Sequence, residues 1–365
     1  MLVKGEPFSA DGISRILLIQ LGDIGDFVLT TPTMRTLREN CPSSEIFVLV
    51  REHVSELVDN CPWVDGLISV NKAKRKLRDE LDHQRRFILQ LRKKRFQLTI
   101  DLRTGTRGAI VSFLSGARAR VGRYADNGGL WRNRLFTHLV RPVNELEQYS
   151  SLHSLNILEP LQLQIRDISP ALEVAPEKRK LAREILSKEG VSLNKPIIVL
   201  HPFSRWSYKE WPIQNYIALI NHVGSRYPVS FVLTGAHEDT DRAAEILRGG
   251  ASGIHNLVGK SSLGELSGLL ANCSLLIGID SAAAHIAAAV GTPTVTIFGP
   301  SSPVCWAPRG EEHYIVVKDL PCVPCRQKGC NHSGVSRCLQ ELEVGEVIEV
   351  LDKKIAEILE RADDD

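Results

Sequence analysis

The chain has 365 residues, of which 43% are hydrophobic and 24% are charged. This balance supplies a large core and excludes a disordered, collagen-like or coiled-coil protein. The length predicts two domains, at about 100–200 residues each, and the net charge of +2 alone indicates no class of partner.

The charges are divided unevenly between the two halves of the chain. Residues 1–170 contain 25 basic and 19 acidic residues, whereas residues 171–365 contain 20 and 24. We therefore expect a polyanionic partner to meet the first half. The N-terminus lacks a signal-peptide pattern, and the apolar stretch 274–300 contains Asp280 and His285, which favours a buried strand–helix–strand over a membrane span. We expect a cytoplasmic protein.

Strands and helices are predicted to alternate along both halves. Apolar runs predict strands at 15–20, 46–50, 67–70 and 97–102, and then at 197–201, 229–234, 254–258, 275–279 and 294–298. Amphipathic stretches predict helices at 27–39, 51–60, 177–189, 213–226, 239–247, 263–271, 281–290 and 344–361. This rhythm is typical of doubly wound parallel sheets.

The rhythm is interrupted once, at residues 165–176, which contain two prolines and show neither period. The predicted fold class is therefore α/β, with two Rossmann-like domains at 1–170 and 171–343, followed by a helix and tail at 344–365. Ligands of such sheets bind beyond the carboxyl ends of the strands.

The first motif, Gly22-Asp23-Ile24-Gly25-Asp26, directly follows the first buried strand. Its glycines allow a sharp turn and close approach of a ligand, but its spacing matches neither a dinucleotide fingerprint nor a P-loop. Asp26 is either a helix cap or a catalytic carboxylate at the edge of the sheet.

Three further motifs follow strands of the second half. Lys209 and Arg205 lie in the loop 201–212, where they either bind a phosphate or belong to a packed aromatic loop. Asp280 and Ser281 begin a helix of small residues, whose N-terminus would suit an anion. The alternatives are that both residues cap this helix and that His285, within it, is a core histidine. The last motif carries two carboxylates that either bind ribose hydroxyls or cap a helix, Glu238 and Asp239.

Taken in order, these motifs resemble glycosyltransferase family 9, which contains the ADP-heptose:lipopolysaccharide heptosyltransferases. The resemblance rests on R-I-L-L-I-Q-L-G-D-I-G-D-x3-T-x-P, H-P-x6-K-x-W-P and D-S-x3-H-I-A-A-A, between residues 15 and 308. It implies a GT-B fold of two Rossmann-like domains facing across a cleft, with the final helix returning to the N-terminal domain. It also implies an inverting transfer that needs no catalytic metal or other cofactor.

The resemblance also implies roles for individual residues. Asp26 matches the general base, which takes the proton of the acceptor hydroxyl. The residues that match the donor site are Ser204, Lys209, Glu238, Asp239, Asp280, Ser281, Ala282 and His285. Ala282 departs from the glycine that is usual there and narrows the loop beside the phosphates.

The first half is where an anionic acceptor is expected. Residues 72–95 contain 11 basic and three acidic residues, which form either a solvated helix surface or a face for an anionic lipid-linked oligosaccharide and the inner membrane that holds it. The candidate acceptor-binding residues are Gly25, Lys72, Lys74, Arg75, Arg103, Arg107 and Arg123. No nucleic-acid-binding module is recognised, so a nucleic acid is not expected as partner.

Four cysteines lie close together near the end of the chain, Cys322, Cys325, Cys330 and Cys338. Their spacing, C-x2-C-x4-C-x7-C, leaves open a structural zinc site, disulfides or free thiols.

The predicted function is transfer of a sugar, with ADP-heptose as the expected donor, to a lipopolysaccharide core acceptor at the cytoplasmic face of the membrane. The alternatives are a family 9 transferase for another nucleotide sugar or acceptor, a nucleotide-sugar 2-epimerase of the same fold, and a non-enzymatic nucleotide-sugar binding module.

Overall fold

A computed structural model describes residues 1–71, 76–129, 131–250 and 253–364. The chain divides into two compact units, Met1–Pro170 and Ala171–Asp365. The strands are β1 Leu2–Lys4, β2 Arg15–Gln20, β3 Glu45–Arg51, β4 Gly66–Val70, β5 Leu98–Asp101, β6 Ala119–Arg123, β7 His138–Val140, β8 Ile197–His201, β9 Ser230–Leu233, β10 Ile254–Asn256, β11 Leu275–Ile279, β12 Thr294–Phe298 and β13 His313–Val317.

The α-helices are α1 Ile24–Val28, α2 Thr31–Asn40, α3 Leu77–Lys93, α4 Thr106–Leu114, α5 Ser150–Leu155, α6 Pro176–Lys188, α7 Ile213–Arg226, α8 Thr240–Gly249, α9 Leu263–Leu270, α10 Ala282–Ala289, α11 Pro303–Trp306, α12 Arg337–Gln340 and α13 Val344–Asp364. Short 3-10 helices occupy Glu52–Leu57, Arg132–Leu135, Asn156–Leu161, Ser207–Lys209, His237–Asp239 and Cys330–His332.

The first unit contains a seven-stranded sheet in the order β1-β7-β6-β5-β2-β3-β4, parallel except for the antiparallel edge pair β1–β7. Residues 16–19 of β2 are fully buried. Such a continuous apolar run is expected of a parallel strand that is covered on both faces. The polar residues that follow β2 and its neighbour β5 therefore lie at the carboxyl edge.

The second unit contains a six-stranded, wholly parallel sheet in the order β10-β9-β8-β11-β12-β13. Strands β11 and β12 are buried at every position, and β8 at all but its last. The loops that follow β8 and β11 are neighbours, because these two strands pair directly.

Most of the predicted strands and helices are confirmed, and β2, β8, β11, β12 and α7 have the predicted bounds. The helix predicted at 27–39 is instead two helices, α1 and α2. Pro32 lies in the first turn of α2, where its missing N–H costs nothing. The helix predicted at 51–60 is wrong, since only a 3-10 helix forms there. Its buried Val54 and Leu57 are three residues apart, a spacing that both kinds of helix satisfy.

The C-terminal helix α13 packs within the second unit, whereas the sequence led us to expect it on the first domain. Val347, Leu351 and Ile355 are buried in the core of the second unit, against α7 and β13. The side chain of Lys354 is 1% exposed, and its ammonium group pairs with Glu312 and Glu357. The apolar residues of α13 thus contribute to the core of the second unit. No helix in the described ranges is long and apolar enough to cross a membrane.

Candidate functional site

Asp26 lies in α1, on a tight turn at the carboxyl end of β2. A Cβ atom at Gly22 would be 2.5 Å from Oδ2 of Asp26, so only glycine allows the carboxylate to fold over the turn. The buried Gln20 holds the turn, because its Oε1 accepts from the Gly22 amide at 3.0 Å and its Nε2 donates to Thr30 Oγ1 at 2.6 Å. Thr30 in turn donates to the Asp26 carbonyl at 2.7 Å.

The Asp26 carboxylate caps its helix and also pairs with an arginine. Its Oδ2 accepts a hydrogen bond from the Asp23 amide at 3.0 Å, which caps α1. Its Oδ1 pairs with Nη1 of Arg103 at 2.8 Å, and the Asp26 side chain stays 18% exposed. Each carboxylate oxygen of Asp26 therefore accepts one hydrogen bond and keeps a free lone pair. Either oxygen can still take up a proton.

Arg103 is held by a buried ion pair beneath it, between Asp101 and Arg132. Arg132 Nη2 donates to the Arg103 carbonyl at 2.6 Å and lies 3.4 Å from Asp101 Oδ2. Its Nε donates to the Gly105 carbonyl at 3.3 Å, and Asp101 Oδ1 accepts from the Arg103 amide at 3.2 Å. These bonds fix the loop that carries Arg103 to the end of β5.

Burial dominates the electrostatics of this pair. Desolvation raises the pKa of Asp101 to about 7, and Arg132 acts against that rise. Burial also lowers the pKa of Arg132, although Asp101 opposes this change. Neither residue was predicted from the sequence, because Arg132 lies in a loop without a motif and Asp101 ends a strand like any capping carboxylate.

A cavity of about 610 Å³ opens beside this loop within the first unit. Its lining residues are Leu21, Arg51, Glu52, His53, Val70, Asn71, Asp101, Arg103, Thr104, Gly105, Thr106, Arg107 and Gly108. Three of them are arginines, and Arg51 Nη1 also pairs with Asp23 at 2.9 Å. The arginines therefore place positive charge at this cavity, which suits an anionic ligand.

The other predicted acceptor residues are placed in different ways. Gly25 lies in α1 beside Asp26. Arg123 pairs with Glu145 and does not line this cavity. The remaining three, Lys72, Lys74 and Arg75, lie outside the described residues.

In the second unit, Lys209 Nζ donates to Asp280 Oδ2 at 2.5 Å. Lys209 comes from the loop after β8, and Asp280 directly follows the neighbouring strand β11, where its side chain is only 6% exposed. The pair brings together two sequence motifs that are 71 residues apart.

The helix α10 begins directly after Asp280. Ser281 is its N-cap residue, and its buried Oγ has no hydrogen-bond partner in the described part of the chain. Ala282 is the first helical residue, so the amides of the first turn are flanked only by short side chains. His285 is buried, with its ring centre 6.5 Å from that of Trp306.

A second charged cluster joins the loops that follow β8 and β9. Glu210 Oε1 accepts from the Ser204 amide at 2.7 Å and from Arg242 Nη1 at 3.1 Å. Asp239 Oδ2 accepts from the Ala236 amide at 2.9 Å, as a helix cap does, and its Oδ1 lies 3.4 Å from Arg242. The sequence did not point to Glu210 or Arg242, whereas the exposed Glu238 was a candidate.

The four clustered cysteines do not form a metal site. Across the described ranges, no three His, Cys, Asp or Glu side chains are close enough together to hold a metal ion. Cys338 is buried in the core of the second unit, whereas Cys322 and Cys330 are exposed, and all four are free thiols. The zinc alternative therefore has no support in this arrangement.

Two α/β units with mostly parallel sheets form a GT-B-like architecture. The model of glycosyltransferase family 9 (heptosyltransferase) matches residues 84–336. The chain belongs to this family and is a glycosyltransferase, which confirms the predicted family and enzyme class.

The chain is similar to lipopolysaccharide heptosyltransferase 3 of Escherichia coli, with 31% identity over 290 residues that cover 78% of this chain and 83% of the relative. It is 27% identical over 306 residues to lipopolysaccharide heptosyltransferase 2 of E. coli K12, covering 79% and 84%. The fold matches a family 9 glycosyltransferase of Veillonella parvula with a TM-score of 0.80 and 22% identity, covering 94% of this chain and 98% of that one. It also matches the E. coli ADP-heptose lps heptosyltransferase II with a TM-score of 0.77 and 22% identity, covering 95% and 99%.

We predict that Arg132→Ala lowers the free energy of unfolding of the first unit by about 3–5 kcal/mol at pH 8, because it leaves Asp101 buried and unpaired. At pH 5 the loss is smaller, because Asp101, with a folded-state pKa of about 7, then takes up a proton and no longer needs a cation. Urea titration at each pH, with unfolding monitored by hydrogen exchange in β5, measures the two free energies of unfolding. The exposed neighbour Arg134→Ala is the control and changes stability by less than about 0.5 kcal/mol. An equal loss at both pH values would contradict this role of Asp101.

Proposed function

We propose that the protein transfers a heptose from ADP-heptose to an anionic lipopolysaccharide core acceptor, with inversion and without a catalytic metal. The observation that supports this most is the position of Asp26, a part-exposed carboxylate held between the Asp23 amide and Arg103 beside a cavity lined by arginines. The names of the relatives, which are lipopolysaccharide heptosyltransferases, support the choice of sugar and acceptor.

In the proposed reaction, Asp26 is the general base. The acceptor hydroxyl oxygen attacks the anomeric carbon, and the bond from that carbon to the diphosphate oxygen breaks on the opposite face. The hydroxyl proton passes to a carboxylate oxygen of Asp26, which must lie within about 3 Å of the hydroxyl. The two donors on this carboxylate fix its orientation without using all of its lone pairs.

The donor is proposed to bind at the carboxyl edge of the second sheet. The leaving diphosphate gains negative charge, which Lys209 and the N-terminal amides of α10 would stabilise. The unbonded Ser281 Oγ is available to the same phosphates. Ser204 and His285 flank this site in the sequence motifs, and Glu238 or Asp239 would bind the ribose hydroxyls of the nucleotide.

The acceptor is proposed to place its phosphate or carboxylate groups in the first unit's cavity. Arg51, Arg103 and Arg107 line it, and Arg107 has no ion pair among the residues that the structure describes. A bidentate guanidinium suits both kinds of anion. Three further cations that lie outside the described residues remain candidates for the same acceptor, Lys72, Lys74 and Arg75.

A peripheral contact with the cytoplasmic face of the inner membrane is proposed for α3 and α4. Leu81 and Leu89 are exposed on α3 at helical spacing with Arg78, Arg85 and Arg92. On α4 the exposed residues Ile110 and Phe113 follow the cavity residue Arg107 at intervals of three. Apolar side chains among cations suit an anionic lipid surface. A lipid-linked acceptor would then reach the cavity along α4.

We predict that Asp26→Asn lowers kcat by about 10²- to 10⁴-fold, because the amide cannot take the proton. ADP affinity stays unchanged, since this residue is proposed to act on the acceptor. Steady-state transfer kinetics and calorimetric ADP titration measure the two effects. Asp126→Asn, which alters an exposed carboxylate elsewhere in the same unit, is the matched control and retains most of the activity. Full activity of Asp26→Asn would exclude the general-base role.

For the donor, we predict that Lys209→Ala lowers transfer on the order of 10²-fold, the size expected for one lost electrostatic contact in a transition state. It also weakens ADP binding, which calorimetry measures directly. Lys260→Ala, whose cation pairs with Glu189 elsewhere in this unit, serves as control. A thermal-shift panel with ADP, UDP, GDP and CDP tests the base, because a ligand of the native state raises its stability. Stabilisation by a base other than adenine would favour another family 9 donor.

For the membrane contact, we predict co-sedimentation with vesicles that contain phosphatidylglycerol but not with vesicles of phosphatidylcholine alone. The double variant Ile110→Ser/Phe113→Ser weakens this binding about tenfold or more, because two apolar side chains no longer leave water. Ile165→Ser, an exposed isoleucine elsewhere in the first unit, is the control. Equal sedimentation with both vesicle types would contradict an anionic lipid surface as partner.

A further inference from the structure

The cysteine-rich segment, residues 322–338, docks on the loop that carries Lys209. We call residues 203–211 the lysine loop. Ser336 Oγ donates to the Tyr208 carbonyl at 2.6 Å, and Ser207 Oγ donates to the Gly334 carbonyl at 3.2 Å. Lys328 Nζ lies 5.5 Å from the ring centre of Trp206. All three contacts fall within three residues of Lys209, so the segment touches the part of the loop that positions Lys209.

Ser336 makes an unusual contact for its place in the chain. It is the N-cap residue of α12, where a serine hydroxyl ordinarily accepts a hydrogen bond from the first-turn amides of its helix. Here the hydroxyl makes no such bond and serves the lysine loop instead. Cys330 takes over at the helix, because its Sγ accepts from the Arg337 amide at 3.3 Å. The Arg337 amide is thus bonded by the thiol, and the Ser336 hydroxyl proton goes to the Tyr208 carbonyl.

The segment is itself anchored to the sheet that ends at Asp280. Leu339, just after Cys338, is fully buried and packs closely on Gly299. A Cβ atom at Gly299 would lie 2.6 Å from the Leu339 side chain. The Arg326 amide donates to the Pro300 carbonyl at 2.7 Å. Both contacts meet the residues that follow β12, and β12 pairs with β11. One frame therefore fixes both partners of the Lys209–Asp280 pair.

We propose that Ser336 is a positioning residue for Lys209 and that the cysteine-rich segment is the support of the lysine loop. The inference rests on the proposed donor site, because the ammonium is held where a diphosphate would meet it. Ser336 is 3% exposed, so its hydroxyl has no water to replace a lost bond. Two of the cysteines then have roles that need no metal: Cys338 packs in the core, and the Cys330 thiol accepts from the first amide of α12.

The first test compares Ser336→Ala with Ser333→Ala in the full chain without ligand. Ser333 lies in the same segment, but its hydroxyl bonds only to the Val335 backbone. Hydrogen exchange of residues 205–211 should rise in Ser336→Ala and stay unchanged in Ser333→Ala. Calorimetric titration with ADP should show affinity about 3- to 10-fold weaker in Ser336→Ala alone, as expected for one lost hydrogen bond.

A double-mutant cycle separates positioning from general loss of structure. If Ser336 acts through Lys209, Ser336→Ala has no further effect on ADP affinity in a Lys209→Ala background. Cys330→Ala should raise loop exchange in the same direction, since α12, which begins directly after Ser336, loses the hydrogen bond on its first amide, while the exposed Cys322→Ala should not.

Unchanged exchange of the lysine loop in Ser336→Ala would overturn the support, and raised exchange with unchanged ADP affinity would overturn the positioning of Lys209. Normal ADP affinity of Lys209→Ala is a different result, because it removes the proposed donor site itself.

Discussion

The central strands of both sheets are buried along almost their whole length. Charged side chains therefore lie where these strands end, at the carboxyl edge of each sheet. Residues 16–19 of β2 and all of β11 are fully buried, so charged side chains are tolerated only where the strands end. In each unit, an ion pair then joins the loops that follow two adjacent strands. Asp26 and Arg103 connect β2 to β5, whereas Lys209 and Asp280 connect β8 to β11. The same device organises the proposed acceptor and donor ends of the reaction.

These ion pairs depend on layers of hydrogen bonds beneath them. Arg132 binds the carbonyls of Arg103, Gly105 and Arg123, and it faces the buried Asp101. Buried pairs of this kind contribute little net stability, because removing two charges from water offsets their attraction. We infer that such a pair selects one conformation of the loop above it. In the second unit, the neutral hydrogen bond from Ser336 is proposed to do the same for the loop of Lys209.

The sequence predicted what depends on local pattern and missed what depends on distant partners. Fully buried strands are bounded by polar residues, so β2, β8, β11 and β12 could be placed to the residue. Asp26, Lys209 and Asp280 were found because each follows such a strand within a family motif. Arg132, Arg242 and Ser336 lie outside the motifs, and their partners are up to 128 residues away. The cysteine spacing left zinc, disulfides and free thiols open. It could not show that Cys338 lies in the core of the second unit.

The pairing of Lys209 with a buried carboxylate also bears on selectivity. Because the two charges offset each other, the proposed phosphate site would have little net attraction for small anions such as orthophosphate or sulfate. An incoming group would have to compete with Asp280 for the ammonium protons, which a single phosphate would do poorly. A nucleotide that also engages ribose and base contacts can offset that competition. The unliganded enzyme would thereby bind few common anions, and its phosphate site would remain open to a scarce nucleotide-sugar substrate.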